Sequence, residues 1–357
     1  MDKLIQVLVQ GPPPMVYESV DKTLTGNGII FLCIVAALTV SFLYIYAQYQ
    51  KRWLAHYAVA MLGIFIFEAF TSPMWGNPHF GAYGYIFRDV SWVLTFGWTT
   101  LLLASKLIID QLLPRMYEWK RFILTVLLFG IFGFFGEMMV LALGMRWYAP
   151  EINAVLSGLT VLGTPVDTLY YVPVFGALVL GFYQYWGYIL DKVPLLPVRR
   201  GGYIRRLLIT TGGVFLFEVM IEPMVINANF PAWSYVFHDI SFILTFGWVI
   251  LVWCAVWIVE KLWATFNMTE KFCLYSALVG ALALPAEAWL IHNGYRVYEG
   301  TTAGNAFSGF SVPLLNVPVE VAFAIPMYFA LVIGFVGAWD VMLTNAPTLR
   351  SVAEGKK

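Results

Sequence analysis

The sequence predicts an all-α integral membrane protein with about nine transmembrane helices. Of its 357 residues, 60% are hydrophobic and only 12% are charged, about half the charged fraction of a soluble domain. Apolar runs long enough to cross a bilayer, about 20 residues each, recur along the whole chain. The chain also repeats itself at an offset of 150 residues. Together these features predict one N-terminal helix followed by two parallel four-helix repeats.

The apolar runs place the helices in order. They fall near residues 28–49, 53–72, 84–109, 121–144, 166–190, 205–226, 234–260, 272–292 and 319–343. The predicted organisation is an N-terminal segment with helix 1 (1–52), a first repeat (53–191), a linker (192–202), a second repeat (203–345) and a tail (346–357). Prolines, glycines and arginines in the linker cannot continue an apolar helix, which makes it the natural boundary.

The repeat is clearest where Phe65–Trp98 aligns with Phe215–Trp248, and Leu-Thr-Phe-Gly-Trp ends both segments. At the same offset, Glu137 aligns with Glu287, and Gly-x-Arg-x-Tyr recurs at 144–148 and 294–298. Pro-Val-Asp at 165–167 aligns with Pro-Val-Glu at 318–320 at an offset of 153. Because each copy has an even number of helices, both copies should cross the membrane in the same direction, as parallel repeats do.

Lysine and arginine placement predicts the orientation. With nine helices, sixteen of the 21 basic residues lie on one side and five on the other. The positive-inside rule then places the N-terminus outside and the C-terminus in the cytoplasm. Residues 1–27 are too polar for the apolar core of a signal peptide, so no cleaved leader is expected.

The sequence predicts neither a metal centre nor a cofactor. Its four histidines include no His-x-x-x-His pair, which weighs against an iron or zinc site. Cys33, Cys254 and Cys273 lie within or at the end of apolar helices and are interpreted as small core residues.

Acidic residues recur at matched positions and gather toward the predicted extracytoplasmic end. They are Glu68, Asp89, Glu137 and Asp167 in the first copy and Glu218, Asp239, Glu287 and Glu320 in the second. A carboxylate at the centre of a membrane costs about 2.5–3.5 kcal/mol, so such residues are functional candidates. Asp89, Asp239, Asp167 and Glu320 stand at predicted helix starts, where complementing the helix dipole explains an acid equally well.

The residues around these acids have structural interpretations. Arg146 and Arg296 are expected to neutralise an acid or to meet a lipid headgroup. Tyr148 and Tyr298 fit an interfacial aromatic belt.

The two copies differ at two positions beside the acids. Glu222 stands four residues after Glu218, whereas the first copy has Ser72 at the equivalent position. Two carboxyls on one helical face cannot both ionise easily, which favours one protonated acid near neutral pH. His238 likewise replaces Arg88. These differences predict that the second copy carries the site.

Two short motifs resemble those of membrane enzymes that act on isoprenoids. Glu68 followed by Phe80-Gly81-Ala-Tyr83-Gly-Tyr85 resembles the Glu…Phe-Gly-x-Tyr-x-Tyr pattern of membrane carotenoid hydratases. Pro-Val-Glu at 318–320 is similar to the Pro-x-Glu element of membrane lycopene-cyclase domains. The chain departs from both patterns: Pro231 replaces Gly81 in the second copy, Asp167 replaces Glu320 in the first, and Val321 stands where a second acid often follows.

The resemblance implies that a proton is added to an isoprenoid double bond without a cofactor, followed by ring closure or capture of water. Glu218, Glu222 and Glu287 are the candidate proton donors, Asp239 and Glu320 could remove the final proton, and aromatic faces could stabilise the carbocation. The full set of candidate catalytic residues is Glu218, Glu222, His238, Asp239, Glu287 and Glu320, with Asn227, Tyr235, Trp248, Arg296 and Tyr298 as candidate substrate-binding residues. Expected partners are a lipid-soluble substrate and membrane lipids, with no nucleic acid; the oligomeric state stays open.

Two other classes of function remain open. A proton- or cation-coupled transporter is compatible with parallel repeats and buried acids, although the acids lie toward one face rather than the midplane. A non-catalytic subunit of a membrane complex would use the same acids to pair with arginines or with partner helices.

Overall fold

A computed structural model describes residues 20–193 and 202–354, with side chains described as far as residue 344. The described residues form nine long helices and two short ones. The long helices are α1 Gly26–Tyr49, α2 Trp53–Thr71, α3 Trp92–Leu112, α4 Glu118–Ala142, α6 Thr168–Leu190, α7 Tyr203–Ile221, α8 Phe242–Leu262, α9 Met268–His292 and α11 Val319–Glu354. The short helices are α5 Pro150–Val155 and α10 Thr302–Ala306.

The helices confirm an all-α, multi-pass membrane protein. Eight of the long helices in the described chain are long and apolar enough to cross a membrane. The ninth, α6, has 23 residues but carries several tyrosines and Gln184, and most of its side chains are buried in the protein. A central helix surrounded by other helices tolerates polar side chains that lipid would exclude.

Very short strands lie at one end of the helices. β1 Trp75–Gly76 pairs with β4 Trp147–Tyr148, and β7 Ile226–Asn227 pairs with β10 Arg296–Val297 at the equivalent place in the second copy. Three hairpins complete the set: β2 Tyr85–Phe87 with β3 Val90–Ser91, β5 Thr160–Val161 with β6 Thr164–Pro165, and β8 Tyr235–Phe237 with β9 Ile240–Ser241. We call this end the acid end, and the opposite end, with residues 50–52, 113–117 and 191–193, the linker end.

The hairpins correct the predicted starts of two helices. α3 and α8 begin at residues 92 and 242, not at 84 and 234, because the preceding apolar residues form β-hairpins. Arg88 and His238 occupy the hairpin turns with φ of 46° and 44°. Asp89 and Asp239 therefore do not begin helices. Ser91 and Ser241 instead cap α3 and α8, and each serine hydroxyl accepts a hydrogen bond from the backbone N–H two residues later.

The two copies pack against each other through α6 and α11, which occupy equivalent positions in the repeat. A Cβ on Gly181 would lie 2.6 Å from the Phe335 Cα, and one on Gly334 would lie 2.7 Å from the Phe182 Cα. Because each glycine meets the residue after its counterpart, the contact is reciprocal, as in a two-fold interface. Only glycine allows this close approach of the two helices.

Aromatic rings repeat the same reciprocity. The rings of Phe122 and Trp339 are 5.2 Å apart, and those of their counterparts, Phe272 and Trp186, are 5.0 Å apart. Each pair joins one copy to the other near the linker end. The duplicated sequence thus builds a duplicated interface.

Other expectations need correction. Cys33, Cys254 and Cys273 are free and exposed on the protein surface, not in the core. Lipid and protein core are equally apolar, so hydropathy does not distinguish the two environments. The last helix reaches Glu354, because polar residues after position 343 end the apolar run without ending the helix. Residues 1–19, in the stretch for which no cleaved leader is expected, and linker residues 194–201 lie outside the described residues.

Candidate functional site between the two copies

Glu137 is the centre of a buried network in the first copy. It accepts hydrogen bonds from Arg146 at 2.7 Å and from the Tyr148 hydroxyl at 2.6 Å. Arg146 also donates to the Asn77 side chain at 2.9 Å. Burial, and then the neighbouring Glu137 carboxylate, raises the pKa of Tyr148, which keeps this hydroxyl a donor. The strand pair β1–β4 places Arg146 and Tyr148 beside α4.

The second copy builds the same network. Glu287 is 3.3 Å from the Arg296 guanidinium and accepts a 2.7 Å hydrogen bond from Tyr298. Arg296 donates to the Asn227 side chain at 2.6 Å. The prediction that both arginines neutralise acids is confirmed. The hydroxyls of Tyr148 and Tyr298 bind these buried carboxylates, and the interfacial belt stays a prediction.

Glu68 and Glu218 lie close to these networks, and each is held by a threonine. Each accepts a hydrogen bond from the threonine hydroxyl on the next long helix, Thr95 or Thr245. Glu218 is 2% exposed, and one of its carboxyl oxygens has no hydrogen-bond partner within the described residues. Glu218 is therefore a buried acid whose carboxyl group is only partly satisfied by the protein.

The remaining repeated acids organise loops. Asp167 accepts a 2.7 Å hydrogen bond from the Ser157 hydroxyl, and Glu320 accepts one from the Ser308 backbone at the same distance. Asp89 accepts from the Val20 backbone at 3.3 Å and lies 3.9 Å from Lys22. Asp167 and Glu320 thus hold the loops that precede their own helices, whereas Asp89 contacts the segment before α1.

Asp239 differs slightly from Asp89. Its carboxylate accepts the backbone N–H of Asn227, while its other oxygen has no hydrogen-bond partner in the part of the chain that is described. Burial raises the pKa of Asp239 above its ordinary value, and the Asn227 N–H and the charge of Arg296 offset only part of that rise. The Asn227 carbonyl accepts from the Tyr235 hydroxyl at 3.2 Å, so both residues are engaged within the loop.

Glu222 and His238, the residues that distinguish the second copy, form a direct pair. His238 Nδ1 is 2.9 Å from a Glu222 carboxylate oxygen. The Glu222 side chain is 8% exposed, whereas that of His238 is 48% exposed, so the pair joins a buried carboxyl to the surface. Glu222 begins the 3-10 turn Glu222–Met224 that follows α7, and His238 stands in the hairpin turn. Glu218 and Glu222 therefore have different partners.

This pair lines a cavity of about 60 Å³ that the two copies share. Glu137, Arg146 and Asp167 of the first copy line the same cavity. Half of its other lining residues are aromatic: Phe67, Trp75, Trp98, Tyr148, Tyr170, Tyr171 and Phe175. We call it the Glu222 site. It combines second-copy Glu222 and His238 with the buried ion pair of the first copy.

An apolar groove of about 320 Å³ adjoins this cavity. It lies between α1, α3 and α4, and Trp98 and Arg146 line both spaces. Gly97 and Gly136 leave room along its walls. Because α1 stands outside the repeat, the second copy has no equivalent of this helix. The groove therefore belongs to the Glu222 site alone.

The equivalent position on the other side of the interface is built differently. There Ser72 and Arg88 of the first copy replace Glu222 and His238, facing the second copy's loops. Arg88 donates a 2.7 Å hydrogen bond to the Ala306 carbonyl and lies 3.8 Å from the Glu320 carboxylate. We call this the Ser72 site. A cross-copy ion pair bridges it where the Glu222 site has the Glu222–His238 pair.

The predicted site residues thus divide into two groups. Glu222, His238, Glu137 and Asp167 meet in the shared cavity. The others line no part of it, namely Glu218, Asp239, Glu287, Glu320, Glu68, Asp89, Asn227, Tyr235, Trp248, Arg296 and Tyr298. Sequence reasoning missed Trp75 and Tyr171. The signal was present, because their counterparts in the second copy are Val225 and Ala324.

A second, larger cavity of about 1000 Å³ lies at the linker end of the first copy. Its polar walls come from α1, α2, α3, α4 and α6 and include His56, Lys106, Asp110, Glu118 and Tyr183. No sequence prediction covered it. We call it the linker-end cavity.

Comparison of the chain with protein-family models, with curated proteins and with solved structures found no match.

Proposed function

We propose that the protein is an integral-membrane enzyme that protonates a carbon–carbon double bond of an isoprenoid or similar unsaturated lipid at the Glu222 site. One observation carries this proposal: Glu222 and His238 share an aromatic-walled cavity with the Glu137–Arg146 pair of the other copy. A carboxyl in apolar surroundings can stay protonated and so can donate a proton to an alkene. Aromatic faces stabilise a desolvated cation by about 2 kcal/mol or more.

The proton has a route in this arrangement. His238 is half exposed and contacts the buried Glu222 carboxyl at 2.9 Å. In the proposed reaction, Glu222 gives its proton to one alkene carbon and the neighbouring carbon becomes a cation. Ring closure followed by proton loss gives an isomer, whereas capture of water followed by proton loss gives a hydrate. His238 then returns a proton to Glu222 from the aqueous side.

The residue proposed to remove the final proton differs from the two that the sequence suggested, Asp239 and Glu320. Asp239 and Glu320 do not line the cavity, whereas Asp167 does. Glu287 is also unsuited to be the acid, because it contacts Arg296 and Tyr298 and does not line the cavity. Glu218 is a buried acid but lies outside the cavity wall. We therefore assign the acid to Glu222 and the base to Asp167.

The size of the cavity limits how a substrate could bind. A volume of about 60 Å³ accommodates only the reacting end of a lipid. The rest of the chain would lie in the adjoining 320 Å³ groove, which is open to an apolar chain between α1, α3 and α4. Movement of Trp98, which lines both spaces, would join them.

The test uses membranes that contain the protein, incubated in D2O buffer with unsaturated isoprenoid lipids and analysed by chromatography and mass spectrometry. Wild type should form a product with deuterium on a former alkene carbon. Glu222→Gln should reduce its formation at least a hundredfold, the lower range for loss of a general acid. Ser72→Ala, at the equivalent position of the other copy, is the matched control and should retain activity. The same lipid profile for wild type and protein-free membranes would overturn the proposal.

A proton- or cation-coupled transporter is the second candidate, and the linker-end cavity favours it. A transport pathway must be reached in turn from each side of the membrane. The linker-end cavity lies at the end of the helices opposite the Glu222 site. Purified protein in liposomes distinguishes the two functions. Proton or cation flux that depends on an added solute, without any chemical change in lipid, would favour transport.

A further inference from the structure

The linker-end cavity is lined by α1 and by the first copy, and its lining departs from the repeat at several positions. Lys106, Glu118, Tyr183 and Tyr188 line it. Their counterparts in the second copy are the apolar residues Val256, Met268, Val336 and Val341. Duplication therefore does not account for these four polar residues. Its residues lie far from the Glu222 site, at the other end of α3, α4 and α6.

The charges of the lining are balanced. Lys106, Arg115 and Arg121 face three carboxylates, those of Asp110, Glu118 and Asp191. Asp110 binds both Lys106 and Arg121 at 2.7 Å. A formal balance of zero favours a ligand with both signs of charge over a polyanion.

Two lining residues have buried polar atoms without a hydrogen-bond partner among the described residues. These atoms are the Arg121 Nε donor and the Glu118 Oε2 acceptor. The two residues stand three residues apart on α4, on neighbouring positions of one helical face. The other Glu118 oxygen accepts from the Tyr188 hydroxyl at 2.7 Å, which holds the side chain in place. Buried groups of this kind cost free energy unless a ligand or water satisfies them.

The tyrosines add a site for a cationic group. Five tyrosine side chains line the cavity: Tyr46, Tyr49, Tyr117, Tyr183 and Tyr188. Tyr183 is held by the Tyr46 hydroxyl at 2.9 Å and by His56 at 3.1 Å. Aromatic rings bind ammonium groups through their negative faces. The cavity thus offers arginine to an anion, and carboxylate and aromatic faces to a cation.

We propose that the linker-end cavity binds a zwitterionic ligand that carries an ammonium group and a phosphodiester. Arg121 and Arg115 would bind the phosphodiester, and Glu118 and the tyrosines would bind the ammonium group. Two sources share this chemistry: the headgroup of a zwitterionic phospholipid and a free phosphodiester of the same head. The volume of about 1000 Å³ accommodates such a head together with glycerol.

The test is a binding titration of purified, delipidated full-length protein, followed by native mass spectrometry. The probes are short-chain phosphatidylethanolamine, short-chain phosphatidylglycerol and glycerophosphoethanolamine. Phosphatidylethanolamine should bind at least tenfold more tightly than phosphatidylglycerol. Similar affinity for glycerophosphoethanolamine would identify a free solute as the ligand, and much weaker affinity would identify a lipid. Equal binding of the zwitterionic and anionic lipids would overturn the proposal.

Variants locate the binding. Glu118→Gln and Arg121→Gln should each weaken phosphatidylethanolamine binding about tenfold, which corresponds to about 1.4 kcal/mol. Lys271→Gln is the matched control, because Lys271 replaces Arg121 in the second copy and should leave binding unchanged. Arg115→Gln is a third lining variant, and because Arg115 is exposed its replacement should not disturb folding. It should weaken phosphatidylethanolamine binding severalfold. Unchanged affinity in all three lining variants would contradict the assignment.

Discussion

The Glu222 site and the Ser72 site descend from one sequence but use opposite means at the same interface. At the Ser72 site, Arg88 reaches across the copies to Glu320 and to the Ala306 carbonyl. At the Glu222 site, the equivalent His238 turns to Glu222 of its own copy, and a cavity remains between the copies. The long Arg88 side chain joins the two copies, whereas the shorter His238 side chain pairs within its own copy and leaves space between them. One site therefore ties the two copies together, and the other keeps the cavity to which the proposed chemistry is assigned.

The surrounding residues follow the same division. The Glu222 site has Trp75 and Tyr171, where the Ser72 site has Val225 and Ala324. It also adjoins the groove formed with α1, which has no second-copy equivalent. Aromatic side chains, a buried carboxyl and an apolar groove thus occur together at one of two equivalent places.

The largest expected effect comes from exchanging the distinguishing residues. The double variant Glu222→Ser with His238→Arg gives the Glu222 site the residues of the Ser72 site. It should lose at least a hundredfold of the proposed activity, because the proton donor and its relay are both removed. Product formation by mass spectrometry, with folding checked by gel filtration, measures the loss. The reverse exchange, Ser72→Glu with Arg88→His, should keep activity; if it alone abolished product, the site would have been assigned to the wrong place.

Breaking the buried ion pairs should cost the most stability. Glu137→Gln leaves the buried Arg146 without its carboxylate, and Glu287→Gln does the same to Arg296. Each should cost about 3–5 kcal/mol, with the larger loss for Glu137→Gln because its contact is 2.7 Å rather than 3.3 Å. Thermal unfolding of the detergent-purified protein measures this. Adding Arg146→Met to Glu137→Gln should restore much of the loss, and no recovery would speak against an uncompensated charge as its cause.

The smallest effect distinguishes Arg88 from His238. Arg88→Gln removes a cross-copy ion pair whose two side chains are each 26% exposed, and a pair of that kind contributes at most about 1 kcal/mol. It should lower the unfolding temperature slightly and leave product formation unchanged. His238→Gln should do the opposite, with little change in unfolding temperature and loss of product. Similar behaviour of both variants in both measurements would remove the proposed contrast between the sites.

Much of the fold could be predicted because the duplication and the apolar runs are local in sequence. The number of helices, their order and the pairing of Arg146 and Arg296 with acids followed from these patterns. The starts of α3 and α8 could not be predicted by hydropathy, since a buried hairpin such as 85–91 is as apolar as a helix. The prediction that the three cysteines lie in the core was wrong for a related reason, because hydropathy does not tell which side of an apolar helix faces lipid.

The site was only half predictable. Comparing the copies singled out Glu222 and His238, but it placed them with the acids of their own copy. The packing of α6 against α11 instead brings them to Glu137, Arg146 and Asp167 of the first copy. The linker-end cavity was predictable in principle, because Lys106 and Glu118 depart from the repeat as clearly as Glu222 does.

By itself the sequence determined the duplication, the membrane-spanning helices and the two positions where the copies differ in charge. Periodicity and composition act along the chain, so a single sequence records them. Only the tertiary structure decided which copy each of those residues faces. Reciprocal contacts of Gly181 and Gly334 with the opposite helix set how the copies meet, and that contact joins residues about 150 positions apart. The Glu222 site is a property of this interface, and neither copy alone contains it.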